Sequence, residues 1–213
     1  MRAEMIATPC DGMPVALIRE YSNSAHGVPS NQDDLRALWP RYLELIAAGE
    51  EVDTLEIGVE LSRFGQALAS DAGVLSEAQA EAYADWGRCL LSAWPVRGSL
   101  MSHEAALLYP LQMLIVGGIA PEALLPRMDD LLRDPQRMAA FAEAVAYDLD
   151  AVGRLDLYAL KQAGGAAQAA FLAWMKADAM RDRLKELATD PKAPWTAAEA
   201  GRIVAGRLEA LHL

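Results

Sequence analysis

The run AALLYPLQMLIVGGIAP, from Ala105 to Pro121, constrains this chain more than any other stretch. Coiled as a helix it is apolar on nearly every side, so it needs cover on every side. A bilayer is not the cover it fits. Pro110 and Gln112 interrupt it, it falls short of the roughly 20 residues that span a membrane, and its flanks, Glu104 and Glu122, are not the aromatic and basic anchors of a membrane segment. The stretch reads as a buried central helix, which the rest of the chain must surround.

The remaining sequence is suited to that task. Alanine and leucine dominate the 53% of hydrophobic residues across 213 positions, while strand-favouring isoleucine, threonine and aromatic residues are sparse. The expected fold is all-α: an antiparallel multi-helix bundle or a stack of helical hairpins, with about eight helices in a single domain over residues 31–213. Residues 1–30 mix Pro, Gly, Ser and Asn around PVALIREY, which fits a strand or a packed tail, and the segment is assigned as irregular. Helix pairs starting near Ser30 and Ser76 are spaced like HEAT-type repeats but share no residue pattern.

Helix boundaries follow from punctuation. Leu35, Leu38, Tyr42 and Ile46 recur at helical spacing up to a capping Gly49, with Pro40 predicting a kink or split after Trp39. Asp53 or Thr54 caps the next helix, striped by Ile57, Leu61, Phe64 and Leu68 and ending near Gly73. Ser76 and Gln79 form a capping box for a helix that Trp94-Pro95 stops. Ser99 or Ser102 opens the apolar helix, and Pro121 opens another. Asp134, before Pro135, caps a helix striped by Met138, Ala142, Val145 and Leu149, and Asp150 caps one beginning at Ala151. After Gly164-Gly165 a long helix to Thr189 carries Ala173, Ala177, Met180, Leu184 and Leu187 at four-three spacing. Thr196 and Glu199 form a second capping box, for a last helix through Ala200, Val204, Leu208 and Leu211.

Chemical motifs are scarce. MDDLLRDPQ, Met128 to Gln136, gathers three aspartates as magnesium-binding helices do, but Asp134 as an N-cap belongs to a different helix from Asp129 and Asp130. No metal ligands are assigned there, and no cofactor is expected. Ser102-His103-Glu104 places nucleophile, base and acid in sequence, yet neighbours on a helix point about 100° apart and do not form a relay. His26 and His212 pair with nothing recognisable. HExxH, GxSxG, Walker-type and GxGxxG patterns are absent, and the doublets Gly117-Gly118 and Gly164-Gly165 read as helix ends. Two cysteines, Cys10 and Cys89, make neither a metal set nor a disulfide framework; Cys10 lacks a basic neighbour that would activate it. The tryptophans at 39, 86, 94, 174 and 195 are assigned mostly to the core. MRAEMIATPCDG lacks an export signal's apolar core, which points to the cytoplasm.

Charge is the most informative property. The net charge is -11, and it is polarised: residues 1–150 hold 23 acidic and 10 basic side chains, residues 151–213 hold 7 and 9. The densest acidic run is Glu44, Glu50, Glu51, Asp53, Glu56 and Glu60. Such a surface repels nucleic acid and anionic membranes and attracts basic proteins. The expected function is a non-catalytic helical protein that binds a basic protein partner through this face, in concrete form a toxin-neutralising, immunity-type protein. The alternative is a ligand-binding or enzymatic helical bundle, its pocket lined by Trp86, Trp94 and Tyr109.

Overall fold

A computed structural model of the chain describes residues 8–24, 32–50, 52, 61–70, 74–94, 106–148, 160, 161 and 163–210. Among them are ten α-helices, one 3-10 turn at Cys10–Gly12 and no strand. The helices are α1 (Val15–Ser24), α2 (Gln32–Ala47), α3 (Ser62–Ser70), α4 (Glu77–Ala93), α5 (Leu108–Val116), α6 (Pro121–Leu131), α7 (Pro135–Tyr147), α8 (Gly165–Lys176), α9 (Asp178–Thr189) and α10 (Trp195–Ala210). The all-α expectation holds. No helix among the described residues is long and apolar enough to cross a membrane.

The apolar run does form the centre, over a shorter span than Ser99–Gly117. Helix α5 begins only at Leu108, and Ala106 and Leu107 precede it outside the helix; Ser99 and Ser102 lie outside the described residues. Leu108 and every residue from Pro110 to Val116 are buried, including Gln112. Pro110 is tolerated because it falls in the first turn, where its missing N–H costs no helical bond. Helices α3, α4 and α7 pack on α5. Contact there is close because glycine permits it: a β-carbon on Gly65 of α3 would stand 1.9 Å from the Val116 carbonyl oxygen, and one on Gly87 of α4 would stand 2.8 Å from Ile119 Cδ1. Tyr83 of α4, buried, donates its hydroxyl to the Gly117 carbonyl at 3.2 Å.

A second group of helices builds on α6. It packs on α4 and α8, while α10 lies against both α7 and α9. Arginines fasten the joint between the groups: Arg88 donates to the Ala123 carbonyl at 3.4 Å, Arg127 to Ser92 Oγ at 2.9 Å, and Arg137 to the carbonyls of Leu91 and Ser92 at 3.4 and 3.2 Å. Leu91 and Ser92 lie in the last turn of α4, which has no basic residue of its own, so Arg137 supplies from α7 the positive charge that a helix C-terminus favours. Asp129 of α6 pairs with Arg183 of α9 at 2.7 Å. Lys185 of α9 reaches Glu209 of α10 at 2.7 Å, and its hydrogen bond holds the Glu209 carboxyl below the usual range.

Several boundaries differ from expectation. The stretch assigned as irregular contains α1, because Leu17, Ile18 and Ser22 fall on one helical face and are buried. Pro40 neither splits nor ends α2, which runs through it; Pro40 is on the exposed side. The long helix after Gly165 is two helices, broken at Ala177, whose ψ of 143° is extended. The burial pattern gives the reason. At 100° per residue, Phe171 and Met175 lie on nearly the opposite face from Met180, Leu184 and Leu187, all buried, so one straight helix would expose one of the sets. The four-three seam is therefore not a seam, and its Ala173 and Ala177 are exposed. The second capping box is absent as well. Helix α10 starts at Trp195, Thr196 donates its hydroxyl to Glu143 Oε1 of α7 at 2.6 Å, and Glu199 pairs with Arg202.

Candidate functional site

The acidic run begins at the C-terminal end of α2. Leu45 and Ile46 are buried there, which turns Glu44 outward, and Arg41 Nη1 donates to Glu44 Oε2 at 3.0 Å. The helix ends in a Schellman pattern. Gly49 has φ 81°, its N–H reaches the Ile46 carbonyl at 3.0 Å, and the Glu50 N–H reaches the Leu45 carbonyl at 2.9 Å. Val52 is fully buried two residues later. Glu50 is thus held between a rigid cap and an apolar anchor, with its side chain exposed.

This placement opposes local electrostatics. A helix C-terminus carries partial negative charge, which disfavours carboxylates by up to about 1 kcal/mol each, and α2 has no basic residue in its last turn. Arg41 offsets part of the cost for Glu44. Its guanidinium is shared, since Nε also donates to the Met13 carbonyl at 2.9 Å. Of the six acidic residues assigned to the partner face, Glu44 and Glu50 are exposed together at this end; Glu51, Asp53, Glu56 and Glu60 lie outside the described residues.

The aspartates of MDDLLRDPQ separate into three structural roles. Asp129 pairs with Arg183, Asp130 with Arg133 at 3.4 Å, and Asp134 caps α7 by accepting from the Gln136 and Arg137 amides at 2.9 and 3.0 Å. Among the described residues no three His, Cys, Asp or Glu side chains are grouped to hold a metal ion. Cys10 and Cys89 are both free and exposed. His26, His103 and His212 lie outside the described residues.

Of the three aromatics named for the alternative pocket, the structure brings Trp94 and Tyr109 together, and Trp86 pairs elsewhere. Trp86 stacks on Tyr83 with centroids 5.9 Å apart, whereas Trp94 pairs with Tyr109 at 5.6 Å. A groove of about 270 Å³ lies elsewhere, between the α5–α6 turn and the start of α8, lined by Ile119, Pro121, Glu122, Ala163 and Ala166 among others. It is smaller than the roughly 300 Å³ at which drug-sized ligand sites begin, and among the described lining residues Glu122 brings the one charged side chain. The expectation that most of the tryptophans pack in the core holds for Trp39, which is buried, and for Trp86, Trp94 and Trp174, which are partly buried against it, while Trp195 is 78% exposed. Its position directly after PKAP, at a helix start, is the sequence signal that it lies at the surface.

Compared with known protein families, curated proteins and solved structures, the chain matches none.

Proposed function

We propose that this is a non-catalytic helical protein that binds a basic protein partner through the acidic end of α2 and the acidic run that follows it. The observation that carries the reading is the fixed outward placement of Glu44 and Glu50 at the negative end of a helix dipole. Charges kept where the fold itself disfavours them are more economically explained by something outside the fold. A concentration of carboxylates speeds encounter with a positively charged partner and needs no catalytic group. The concrete version is a neutraliser of a basic toxin or nuclease, acting in the cytoplasm, where the free exposed thiols of Cys10 and Cys89 would stay reduced.

The test is capture from cells of the native host on the immobilised full chain, in parallel with Glu44→Lys/Glu50→Lys. The reading predicts a basic protein that is released by salt and retained poorly by the double variant. A captured partner that is acidic, or that the double variant holds equally well, would overturn it.

A further inference from the structure

The described residues expose three large hydrophobic side chains: Trp195 at 78%, Tyr147 at 68% and Ile203 at 42%. All three lie on the packed pair α7 and α10. Trp195 and Ile203 are on α10 itself, and Tyr147 is one turn beyond Glu143, whose carboxylate accepts from Thr196 next to Trp195. Scattered exposed hydrophobics are ordinary, and of these three it is Trp195, the most exposed, that lies on the outer face of α10.

The outer face of α10 has a definite pattern. Ala197, Ala200, Gly201, Val204, Ala205 and Leu208 face the core, and on the opposite side Trp195, Glu199, Arg202, Gly206 and Glu209 follow one another at spacings of four, three, four and three. That periodicity keeps a stripe aligned with a neighbouring helix. Gly206 leaves a slot in the stripe: a β-carbon there would meet no atom within 4 Å.

We infer that this face pairs with the same face of a second copy of the chain, the two α10 helices running antiparallel about a two-fold axis between Ala200 and Gly201. Residues equidistant from that axis meet. Trp195 then covers the bare backbone of Gly206 in the partner copy, and Glu199 faces Arg202, each contact occurring twice, as a two-fold interface requires. The Glu199–Arg202 pair within each helix, with side chains 38% and 62% exposed, joins its counterpart as a four-charge network. A parallel pairing would set Glu199 against Glu199 and Arg202 against Arg202, so charge selects the antiparallel register. A 16-residue helix is about 24 Å long, and one such face per copy falls at the small end of specific interfaces, below about 1,200 Å². The dimer is accordingly concentration-dependent, with Trp195 its aromatic anchor.

Sedimentation of the full chain over a concentration series tests this. The wild type is expected to pass from monomer to dimer with an affinity in about the micromolar range. Trp195→Ala, Gly206→Leu and Arg202→Glu should each weaken association about tenfold or more, while Asp182→Lys on α9 should not. The swap Glu199→Arg/Arg202→Glu restores opposite charges within each helix as well as across the axis and should return the affinity to within about threefold of wild type, and an equimolar mixture of Glu199→Arg with Arg202→Glu, in which unlike charges meet only between copies, should associate more tightly than either variant alone. Circular dichroism verifies that each variant is folded. A wild type that stays monomeric throughout, a swap no better than Arg202→Glu alone, or unchanged association of Trp195→Ala would overturn the inference.

Discussion

Gly65 of α3 and Val116 of α5 meet backbone to backbone: a β-carbon on Gly65 would lie 1.9 Å from the Val116 carbonyl oxygen. Alanine in place of glycine inside a helix ordinarily stabilises by roughly 0.5–1 kcal/mol. Here the sign reverses, because the obstructing atom is backbone and α3 must move off α5 to admit a methyl group. Gly65→Ala should lose about 3 kcal/mol in urea unfolding. Gly165→Ala, which meets no atom within 4 Å, should lose nothing. Equal stability of the two variants would mean that the contact between α3 and α5 is looser than described.

Tyr83 links stability to alkaline pH. Burial lifts its hydroxyl well above the ordinary tyrosine value of 10.0, so the folded protein keeps a proton that the unfolded chain gives up. The raised value makes the contribution complete below pH 10.0 and progressively lost as pH rises from there toward the folded value. Tyr83→Phe should cost about 1 kcal/mol near neutral pH, where Gly117 loses its donor, and should flatten the alkaline slope. Unfolding curves of the two proteins that stay parallel from about pH 9 to 11 would contradict this.

Arg63 holds α1 in place. It donates to the Tyr21 carbonyl at 3.2 Å and to that of Ser22, and its guanidinium stands 5.6 Å from the Tyr21 ring centre. Those carbonyls are among the last four of α1, which have no partner within the helix. Arg63→Ala should cost about 1–3 kcal/mol, and amide exchange should accelerate in Val15–Ser24 before it does in α5. Uniform acceleration across the protein would show that α1 is not separately held.

Local signals in the sequence were legible where both partners were local. Ser76 and Gln79 make both bonds of their capping box, at 3.3 and 2.9 Å, and Asp134 caps α7, because each such bond spans only two or three residues. Leu35, Leu38, Tyr42 and Ile46 are buried as their spacing predicts. Thr196 departs from the local capping pattern because its partner, Glu143, is 53 positions away. The break at Ala177 carries neither glycine nor proline, and only the change of buried face between Met175 and Met180 requires it. Gly65 and Gly87 are visible as glycines, but nothing local states which helix presses on them. Of the proposed partner face, the exposure of Glu44 and Glu50 follows from the helical stripe and Gly49; the opposition between their charge and the α2 dipole becomes apparent only once the end of the helix is located.

The proposed acidic face is tested most directly by the association rate of the captured partner as a function of salt. Screening shortens from about 10 Å at 0.1 M to about 3 Å at 1 M, so a charge-steered association should slow steeply over that range. Glu44→Lys/Glu50→Lys should reduce the low-salt rate about tenfold and flatten its salt dependence while the protein stays folded, since both side chains are exposed and lysine replaces an unfavourable charge at the negative end of α2 with a favourable one. Asp178→Lys/Asp182→Lys, on exposed positions of α9, is the matched control and should leave the rate within about twofold of wild type. Equal losses from the two double variants, or no loss from either, would contradict the assignment of the α2 end as the binding face.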